Sequence, residues 1–363
     1  MKAFTAFCSK NHQPLKKHLG SSLINSRPKV SVGIPTYNHA AYLRESIQSV
    51  LDQTFQDFEL IIVDDASVDD TPEIVQSFGD KRIRCYRNLK NIGQTPNWNR
   101  CLELARGEYI TIFHDDDVML PENLFMKVKA FENHDVNLVF CAMRVIDAQG
   151  SQLYVHKHYP ESRYLRGKDQ IIHCLKMGNC IGCPSLVAIK MTAFEQAGKF
   201  NETLRFYDDQ EMWLRILLKG DAYFLDDPLV SVRQHEGSST SMQGRAGYET
   251  ERLKFVLCYV QNEQMQDLLN DHPTVKQFSV WLLGWFNYQS LNLKEARKWL
   301  IQVILIRPLS IYSVKASIVW LVSFLGKSAA QNIRLLFHSF LNPIAKSIRG
   351  FSRHLRKKAG QTD

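Results

Sequence analysis

The stretch that decides the fold reads Tyr109-Ile110-Thr111-Ile112-Phe113-His114-Asp115-Asp116-Asp117. Its first five residues are mostly apolar, aromatic or β-branched and predict a buried strand, and Pro121 soon afterwards is typical of a helix start. Three adjacent carboxylates repel one another, and a hard divalent cation shared with substrate phosphates would offset that repulsion. A solvated acidic turn would also relieve it, so this stretch alone leaves both interpretations open.

Short apolar runs alternate with helical periodicity on both sides of this stretch. The predicted strands begin at Val30 and then lie at Phe58–Val63, Ile83–Tyr86, Tyr109–Phe113 and Asn137–Val145. Strands separated by helices predict an α/β fold with a doubly wound, mostly parallel sheet. In such sheets ligands bind beyond the carboxyl ends of the strands, which is where the acidic residues of this chain fall.

The chain divides into three predicted parts. Residues 1–28 contain several basic residues but no apolar signal segment, and they predict a poorly ordered leader. Residues 29–240 form the α/β domain, with later helices predicted at 167–177 and 209–219. Residues 245–363 have a helical pattern throughout and carry 17 Lys and Arg against 7 Asp and Glu. We therefore expect a basic helical region after the α/β domain.

The basic region contains two amphipathic patterns, one from Ala329 to Leu341 and one from Ile344 to Leu355. The second suits a helix lying in a membrane interface, and a solvated basic tail fits it equally well. The most apolar run, Ile318–Leu325, is far shorter than the ~20 residues that span a bilayer. We expect a cytoplasmic protein, with peripheral contact to the inner face of the membrane left open. No nucleic-acid recognition module is visible, so nucleic acid is not an expected partner.

The eight cysteines do not predict a disulfide scaffold in a chain of 363 residues. Cys180 and Cys183 form a single C-x-x-C, and His173 and Cys174 lie nearby, so a zinc site is conceivable. No second C-x-x-C accompanies it. Reduced thiols in a cytoplasmic protein are the favoured interpretation.

Two further acidic pairs stand at predicted element ends. Asp64 and Asp65 follow the second strand, where they could accept hydrogen bonds from a nucleotide base or from ribose hydroxyls. Asp208 and Asp209 precede a predicted helix. A carboxylate there can be a structural cap, stabilised by the free N–H groups of the helix start, or a general base for an attacking hydroxyl.

Five segments, taken together, resemble family 2 glycosyltransferases over roughly residues 29–240. They are Val32–Asn38, Val63–Thr71, Asn91–Gly93, Gly107–Asp117 and Tyr207–Arg215, followed by the terminal Val232–His235. The resemblance implies a GT-A fold and an inverting transfer of a sugar from a nucleoside-diphosphate sugar to a hydroxyl acceptor. It also implies a Mn²⁺ or Mg²⁺ cofactor and a saccharide or lipid-linked acceptor. The pathway would be biosynthesis of cell-surface or extracellular polysaccharide or glycolipid.

The resemblance also assigns residues to the donor. Tyr37 would stack on the base with backbone contact from Pro35, and Asp65, in preference to Asp64, would bind the base. The family has a D-x-D pattern, two aspartates separated by one residue, and Asp115 and Asp117 match it.

For the metal, the resemblance implies Asp117 as the first-choice ligand, with Asp115 and His235 beside it. Asp116 would face the ribose or the metal. Asp209 would be the catalytic base, with Asp208 as its companion acid. The loop from Gly178 to Gly182 resembles one that lies beside donor and acceptor.

The sequence departs from the family pattern at three positions. His114 occupies the place of the usual first acid, so Asp116 and Asp117 are the alternative metal pair. Asp208 replaces the common Glu of the acid pair, and Trp98 stands where many members carry a basic residue.

Two other functions remain as alternatives. One is a nucleotide-sugar-binding scaffold without turnover, which the complete acid set disfavours. The other is a sugar-1-phosphate nucleotidyltransferase. That class has a Gly-rich basic loop after the first strand, where this chain has Pro35-Thr36-Tyr37-Asn38-His39.

Overall fold

The computed structural model describes residues 27–236 and 245–325. The predicted leader, except its last two residues, and the amphipathic patterns from Ala329 to Leu355 lie outside the described residues. The chain divides after Phe255 into two compact units. The predicted boundary between residues 240 and 245 stays a prediction.

The first unit contains a ten-stranded sheet among its described residues. The strands are β1 (Val30–Thr36), β2 (Phe58–Asp64), β3 (Ile83–Arg87), β4 (Tyr109–Ile112), β5 (Val118–Met119), β6 (Leu138–Ile146), β7 (Gln152–His156), β8 (Arg163–Leu165), β9 (Val187–Lys190) and β10 (Ala222–Arg233). Their order is β3-β2-β1-β4-β9-β6-β10-β5, with β7 on β6 and β8 on β10.

Most neighbouring strands in the centre of this sheet point the same way. β3, β2, β1 and β4 are parallel, and β6 is parallel to β10. β9 is antiparallel to both β4 and β6, so those two also share a direction. The carboxyl ends of β1, β2, β4, β6 and β10 therefore meet at one edge, and the predicted doubly wound, mostly parallel sheet is confirmed.

Seven helices of the described part of this unit flank the sheet: α1 (Ala40–Leu51), α2 (Thr71–Gln76), α3 (Gln94–Leu104), α4 (Asn123–Asn133), α5 (Gly167–Met177), α6 (Met191–Ala197) and α7 (Asp208–Leu217). α1 shows why they pack: Leu43, Ile47 and Val50 recur at helical spacing and are fully buried. All seven residues of β1 and of β2 are buried as well, as expected for strands covered on both faces.

A buried carboxylate ties four neighbouring segments of the sheet together. Glu59 on β2 accepts a hydrogen bond from Ser31 on β1 and pairs with Arg84 on β3 at 2.6 Å. Arg106, just before β4, adds a salt bridge at 2.8 Å and a backbone N–H. Burial alone would raise the pKa of Glu59, but these hydrogen bonds outweigh it and lower the pKa.

The described part of the second unit is helical, as predicted. α8 (Arg245–Gln261) begins in the first unit and continues past Phe255, and it is followed by α9 (Glu263–Asn270), α10 (Pro273–Gln289), α11 (Leu293–Ile306) and α12 (Ile311–Val322). Gly284 lets α10 approach α11 closely, because a Cβ there would lie 2.8 Å from Leu300. Within residues 27–236 and 245–325, no helix has the length and hydropathy needed to cross a membrane.

Helices α11 and α12 and the residues just beyond them expose several large apolar side chains. We call this set the α11–α12 apolar face; its members are Ile301, Leu305, Leu309, Ile311, Val314, Ile318, Leu321 and Phe324. Leu309 is fully exposed and Ile311 is 66% exposed, and the four members on α12 recur at helical spacing. Exposed apolar side chains that form a contiguous patch commonly mark an interaction site.

Candidate functional site

The predicted base-stacking residues stand at the carboxyl end of β1. Pro35 is buried within the strand, whereas Tyr37 just beyond it is 45% exposed. Asn38 adopts a left-handed conformation (φ 53°), and its side chain accepts the backbone N–H of Val68 at 2.8 Å. The turn is thus fixed to the loop after β2, and it leaves the Tyr37 ring accessible for stacking.

Asp64 and Asp65, predicted to contact the nucleotide, are both buried and already hydrogen-bonded. Asp64 pairs with Arg87 at 2.6 Å and accepts the N–H of Ser67. Asp65 accepts the backbone N–H groups of Ile92 and Gly93 at 2.9 Å each. Asp65 therefore shapes the Asn91–Gly93 loop, and its predicted contact with the base stays a prediction.

The three aspartates after β4 face different partners. An Asp115 oxygen lies 2.8 Å from Nδ1 of His39, and an Asp116 oxygen lies 3.0 Å from Nε2 of His235. The rings of His39 and His235 are 5.7 Å apart, so both acids belong to one group. Burial would raise the pKa of Asp116, but the hydrogen bond with His235 and the nearby imidazoles lower it.

Asp117 turns away from this group and is almost completely buried. Its Oδ1 accepts the backbone N–H of Arg233 at 3.0 Å, whereas its Oδ2 has no hydrogen-bond partner. Burial and the charge of Asp116 raise the pKa of Asp117 well above its usual range. The prediction that Asp117 is the first metal ligand stays untested, and its orientation differs from that of Asp115 and Asp116.

Arg233, the last residue of β10, organises the loop that carries the aspartates. Its buried guanidinium donates to the carbonyl of Asp116 at 2.9 Å and pairs with Glu45 of α1 at 2.6 Å. It also lies over the ring of Tyr42, 4.8 Å from the centroid. Sequence reasoning missed this role, because Arg233 and Glu45 are 188 residues apart in the chain.

The residues around Asp116 fit the divalent cation that the sequence implied. Asp116 supplies a carboxylate oxygen and His235 an imidazole nitrogen, 3.0 Å apart, and Mn²⁺ accepts both ligand types. Among the described residues, Asp115 does not form one ligand cluster with these two. Asp115 Oδ2 is buried without a hydrogen-bond partner, as expected for an atom that awaits a ligand. Asp116 and His235 are the pair that the fold brings into direct contact.

The two acids at the start of α7 differ in exposure: Asp208 is buried, whereas Asp209 is partly exposed. Asp208 is 2% exposed, accepts the hydroxyl of Thr95 at 2.7 Å and also accepts the N–H of Asp209. Asp209 is less buried, and its Oδ2 accepts the side-chain amide of Asn179 at 3.0 Å. Burial raises the pKa of Asp209 to about 7.

Two further contacts hold Asp209 in place, and sequence reasoning found neither. Asn179 is braced by the N–H of Gly182 at 3.0 Å, and the Gly182 carbonyl accepts Nε1 of Trp213 on α7 at 2.9 Å. Glu251 on α8 accepts the N–H groups of residues 205–207, the turn just before α7. The contact through Gly182 and Trp213 has one signal in the sequence, which is the position of Trp213 shortly after the two acids. The contact made by Glu251 has none.

Cys183 lies between the two acidic groups. Its sulfur lies within 4.8 Å of a ligand atom of Asp117, and Asn179 at the other end of the same loop donates a hydrogen bond to Asp209. Burial raises the pKa of the Cys183 thiol, and the charges of Asp117, Asp209 and Asp116 raise it further. The structure therefore brings the D-x-D region and the acid pair of α7 into one site. His114 stacks on the buried Trp98, with ring centroids 5.4 Å apart.

Sequence comparison identifies related proteins. The model of the family described as Glycosyl transferase family 2 matches residues 31–198. TuaG of Bacillus subtilis, a putative teichuronic acid biosynthesis glycosyltransferase, is 30% identical over 253 residues, covering 66% of this chain and 96% of TuaG. An uncharacterized glycosyltransferase of Rickettsia typhi is 32% identical over 222 residues, covering 59% of this chain. The match spans 66% of that relative's length, just under two thirds.

Two solved structures share the fold. Residues 1–349 of S. aureus TarS, in complex with UDP-GlcNAc, superpose with a TM-score of 0.56 at 19% identity, covering 77% of this chain and 81% of TarS 1–349. PcManGT, a Pyrobaculum calidifontis mannosyltransferase in complex with GDP-Man and Mn²⁺, superposes with a TM-score of 0.51 at 18% identity, covering 86% of this chain and 88% of PcManGT. The GT-A type of fold expected from the sequence is thereby confirmed. Because TuaG matches along nearly its whole length, the chain belongs to glycosyltransferase family 2.

Proposed function

We propose that the protein is an inverting, metal-dependent glycosyltransferase that moves a sugar from a nucleoside diphosphate to a hydroxyl acceptor. One observation carries this proposal: the Asn179–Cys183 loop connects the D-x-D loop, where Cys183 lies beside Asp117, with Asp209, which accepts a hydrogen bond from Asn179. The D-x-D loop suits the diphosphate and its cation, and Asp209 suits an acceptor hydroxyl.

The donor side would use the carboxyl ends of β1, β2 and β4. Tyr37 offers an exposed ring for the base, and Pro35 offers backbone contact. Asp116 and His235 would hold Mn²⁺ or Mg²⁺, a cation that when bound would stabilise negative charge on the departing diphosphate. Asp117, whose Oδ1 accepts the backbone N–H of Arg233, has only its Oδ2 available to bind an ion.

The acceptor side would use Asp209 as the general base. The carboxylate takes the proton from the acceptor hydroxyl while that oxygen bonds to the sugar and the bond from sugar to diphosphate breaks. A base whose pKa lies near the working pH is well suited to this task, and such catalysis typically contributes ~100- to 10,000-fold. Asp208 and Asn179 would position it.

The decisive test is metal-dependent release of nucleoside diphosphate from a panel of nucleotide sugars. We expect release with Mn²⁺ from at least one donor, and its loss in Asp209→Asn with donor binding retained. A matched control is Asp57→Asn, an acid on the exposed turn before β2. Donor binding by wild type without any turnover would instead support the scaffold alternative.

The substrates of related proteins suggest the classes to include in the panel. TarS was solved with UDP-GlcNAc and PcManGT with GDP-Man, so uridine and guanosine donors come first. TuaG is named for teichuronic acid biosynthesis, which favours a saccharide or lipid-linked acceptor in cell-surface polysaccharide synthesis.

We also propose that the second unit contacts an anionic membrane surface. The α11–α12 apolar face supplies the apolar contact, and Arg307 and Lys315 lie beside it in the sequence. Apolar side chains combined with basic ones are typical of peripheral membrane binding. This would place the protein on the inner face of the membrane, close to a lipid-linked acceptor.

A further inference from the structure

Three different metal-ligand types meet below the proposed donor site. The ligand atoms of His114, Asp117 and Cys183 all lie within 4.8 Å of one another. Among the described residues, no other group of three or more His, Cys, Asp or Glu side chains comes close enough to share an ion. The predicted partners of Cys183 in a zinc site, Cys180 and His173, are not part of it.

Two atoms of this triad are buried without a hydrogen-bond partner. They are Oδ2 of Asp117, which lies 3.7 Å from Nδ1 of His114, and Nε2, the other nitrogen of that ring. Native structures rarely leave buried polar atoms unpaired, and an ion held between Nδ1 and Oδ2 would account for the Asp117 oxygen. The Asp117 carboxylate is 1% exposed, and water therefore does not reach it readily.

The spacing within the triad suits a tetrahedral ion. Asp117 Oδ2 lies 3.7 Å from Nδ1 of His114, which is too long for a hydrogen bond. Ligands bound at about 2.0–2.3 Å in tetrahedral geometry stand roughly 3.3–3.8 Å apart. Small movements of the Cys183 side chain would therefore complete a set of three ligands.

The surroundings already fix two of the three ligands. Trp98 stacks on the His114 ring, and the hydroxyl of Ser185 accepts the His114 backbone N–H at 3.0 Å. The N–H of Arg233 holds Asp117 by its other oxygen. Contacts of this kind orient ligands in metal sites, and losing them typically weakens metal affinity by about 10- to 100-fold.

We propose that His114, Asp117 and Cys183 bind one soft divalent cation of the Zn²⁺ class, at a site separate from the cation of the donor. A thiolate and an imidazole select zinc, whereas the oxygen-rich set around Asp115 and Asp116 suits Mg²⁺ or Mn²⁺. On binding, the Cys183 thiol releases its proton to solvent and the sulfur bonds to the ion. Three protein ligands leave a fourth position for water.

The ion would connect two loops of the active site. Cys183 ends the loop that begins at Asn179, and His114 and Asp117 belong to the loop after β4. Binding would therefore fix the segment that positions Asp209 against the segment that carries Asp116. We expect Zn²⁺ to raise the melting temperature of the full chain, because it binds only the folded arrangement.

The test is a Co²⁺ titration of the full chain, freed of metal and then saturated with Mn²⁺ to fill the donor site. We expect a thiolate-to-cobalt charge-transfer band that saturates at one equivalent and disappears on adding Zn²⁺. The band should be absent in Cys183→Ser and at least about tenfold weaker in affinity in Asp117→Asn. Cys85→Ser, which changes a half-buried thiol on β3, should retain it.

Either of two results would overturn the proposal: no charge-transfer band in the wild type, or the same band in Cys183→Ser. Circular dichroism of each variant establishes that it is folded. The readout does not depend on sugar transfer. A protein that binds cobalt through Cys183 but releases no nucleoside diphosphate would refute the proposed function and leave this site standing.

Discussion

The protonation state of Asp209 is expected to control turnover. Burial raises its pKa to about 7, and a general base must be deprotonated. Activity should therefore rise with pH through about 7 and fall about tenfold for each pH unit below it. The measurement is kcat/KM for nucleoside diphosphate release across pH. A profile that is flat from about pH 5 to 8 would assign the base elsewhere.

Asn179 provides an internal check on that profile. Its hydrogen bond lowers the pKa of Asp209 against the larger effect of burial. In Asn179→Ala the midpoint should therefore move to higher pH, whereas Gln149→Ala, on an exposed turn, should leave it unchanged. A loss of activity without a shift would mean that Asn179 acts only on the loop.

The end of β10 is expected to control metal-dependent donor binding. Arg233 contacts the Asp116 carbonyl, Glu45 and Tyr42 through a planar guanidinium that lysine cannot reproduce. Arg233→Lys should weaken binding of nucleoside diphosphate in Mn²⁺ by about 10- to 100-fold, the usual cost of losing support around a metal site. Calorimetric titration with UDP and with GDP measures it. Arg163→Lys, on the exposed β8, is the control.

The buried cluster at Glu59 is expected to hold β1, β2 and β3 together. Glu59→Ala removes the partner of Arg84 and Arg106, whose side chains are 27% and 59% exposed and can be hydrated, and should cost about 1.5–3 kcal/mol in the free energy of unfolding. Urea denaturation followed by circular dichroism measures it. The matched control is Glu103→Ala, which removes an exposed pair with Lys199 and should cost about 1 kcal/mol or less.

The Glu59 cluster also determines how the free energy of unfolding changes with pH. The pKa of Glu59 is lower in the folded protein than in the unfolded chain. Its contribution to stability is therefore fully present above the unfolded pKa and is lost as pH falls through the folded pKa. Wild type should lose stability on acidification more steeply than Glu59→Ala. Parallel acid titrations of the two proteins would contradict this assignment.

The sequence allowed some elements to be predicted better than others, for physical reasons. β1, β2, β4 and β6 are mostly apolar, with few interruptions, because helices cover both faces of the sheet. β10 was missed because Asp226-Asp227-Pro228 interrupts its pattern, where the pairing with β6 shifts register. The remaining missed strands have two to five residues, which is too short for a periodicity to be recognised.

In the candidate site, too, some features could be predicted from the sequence and others could not. The place of its acidic residues could be predicted, because ligands of open α/β sheets bind beyond the carboxyl ends of the strands. Their orientations could not be, since they depend on contacts distant in sequence. Arg233 and Glu45, 188 residues apart, are one such contact. The stacking of Trp98 on His114 is another, and it explains how an imidazole is accommodated next to the acidic loop.

The molecule as a whole is expected to bind anionic vesicles through its second unit. Replacing Ile311 and Val314 together by Glu adds two charges to the α11–α12 apolar face and should abolish co-sedimentation with vesicles rich in anionic lipid. Binding by the wild type should also weaken as salt rises, since the chain has a net charge of +8. Leu153→Glu, at an exposed position on β7, is the control. Equal binding by both variants would place the contact elsewhere.

Glu251 determines where the smallest active fragment could end. The family match stops at residue 198, and the sequence alone suggested a domain boundary near residue 240. A fragment cut there would leave the N–H groups of residues 205–207 without the carboxylate that accepts them, directly before the helix of Asp209. Any attempt to isolate the catalytic unit should therefore retain α8 at least through Phe255.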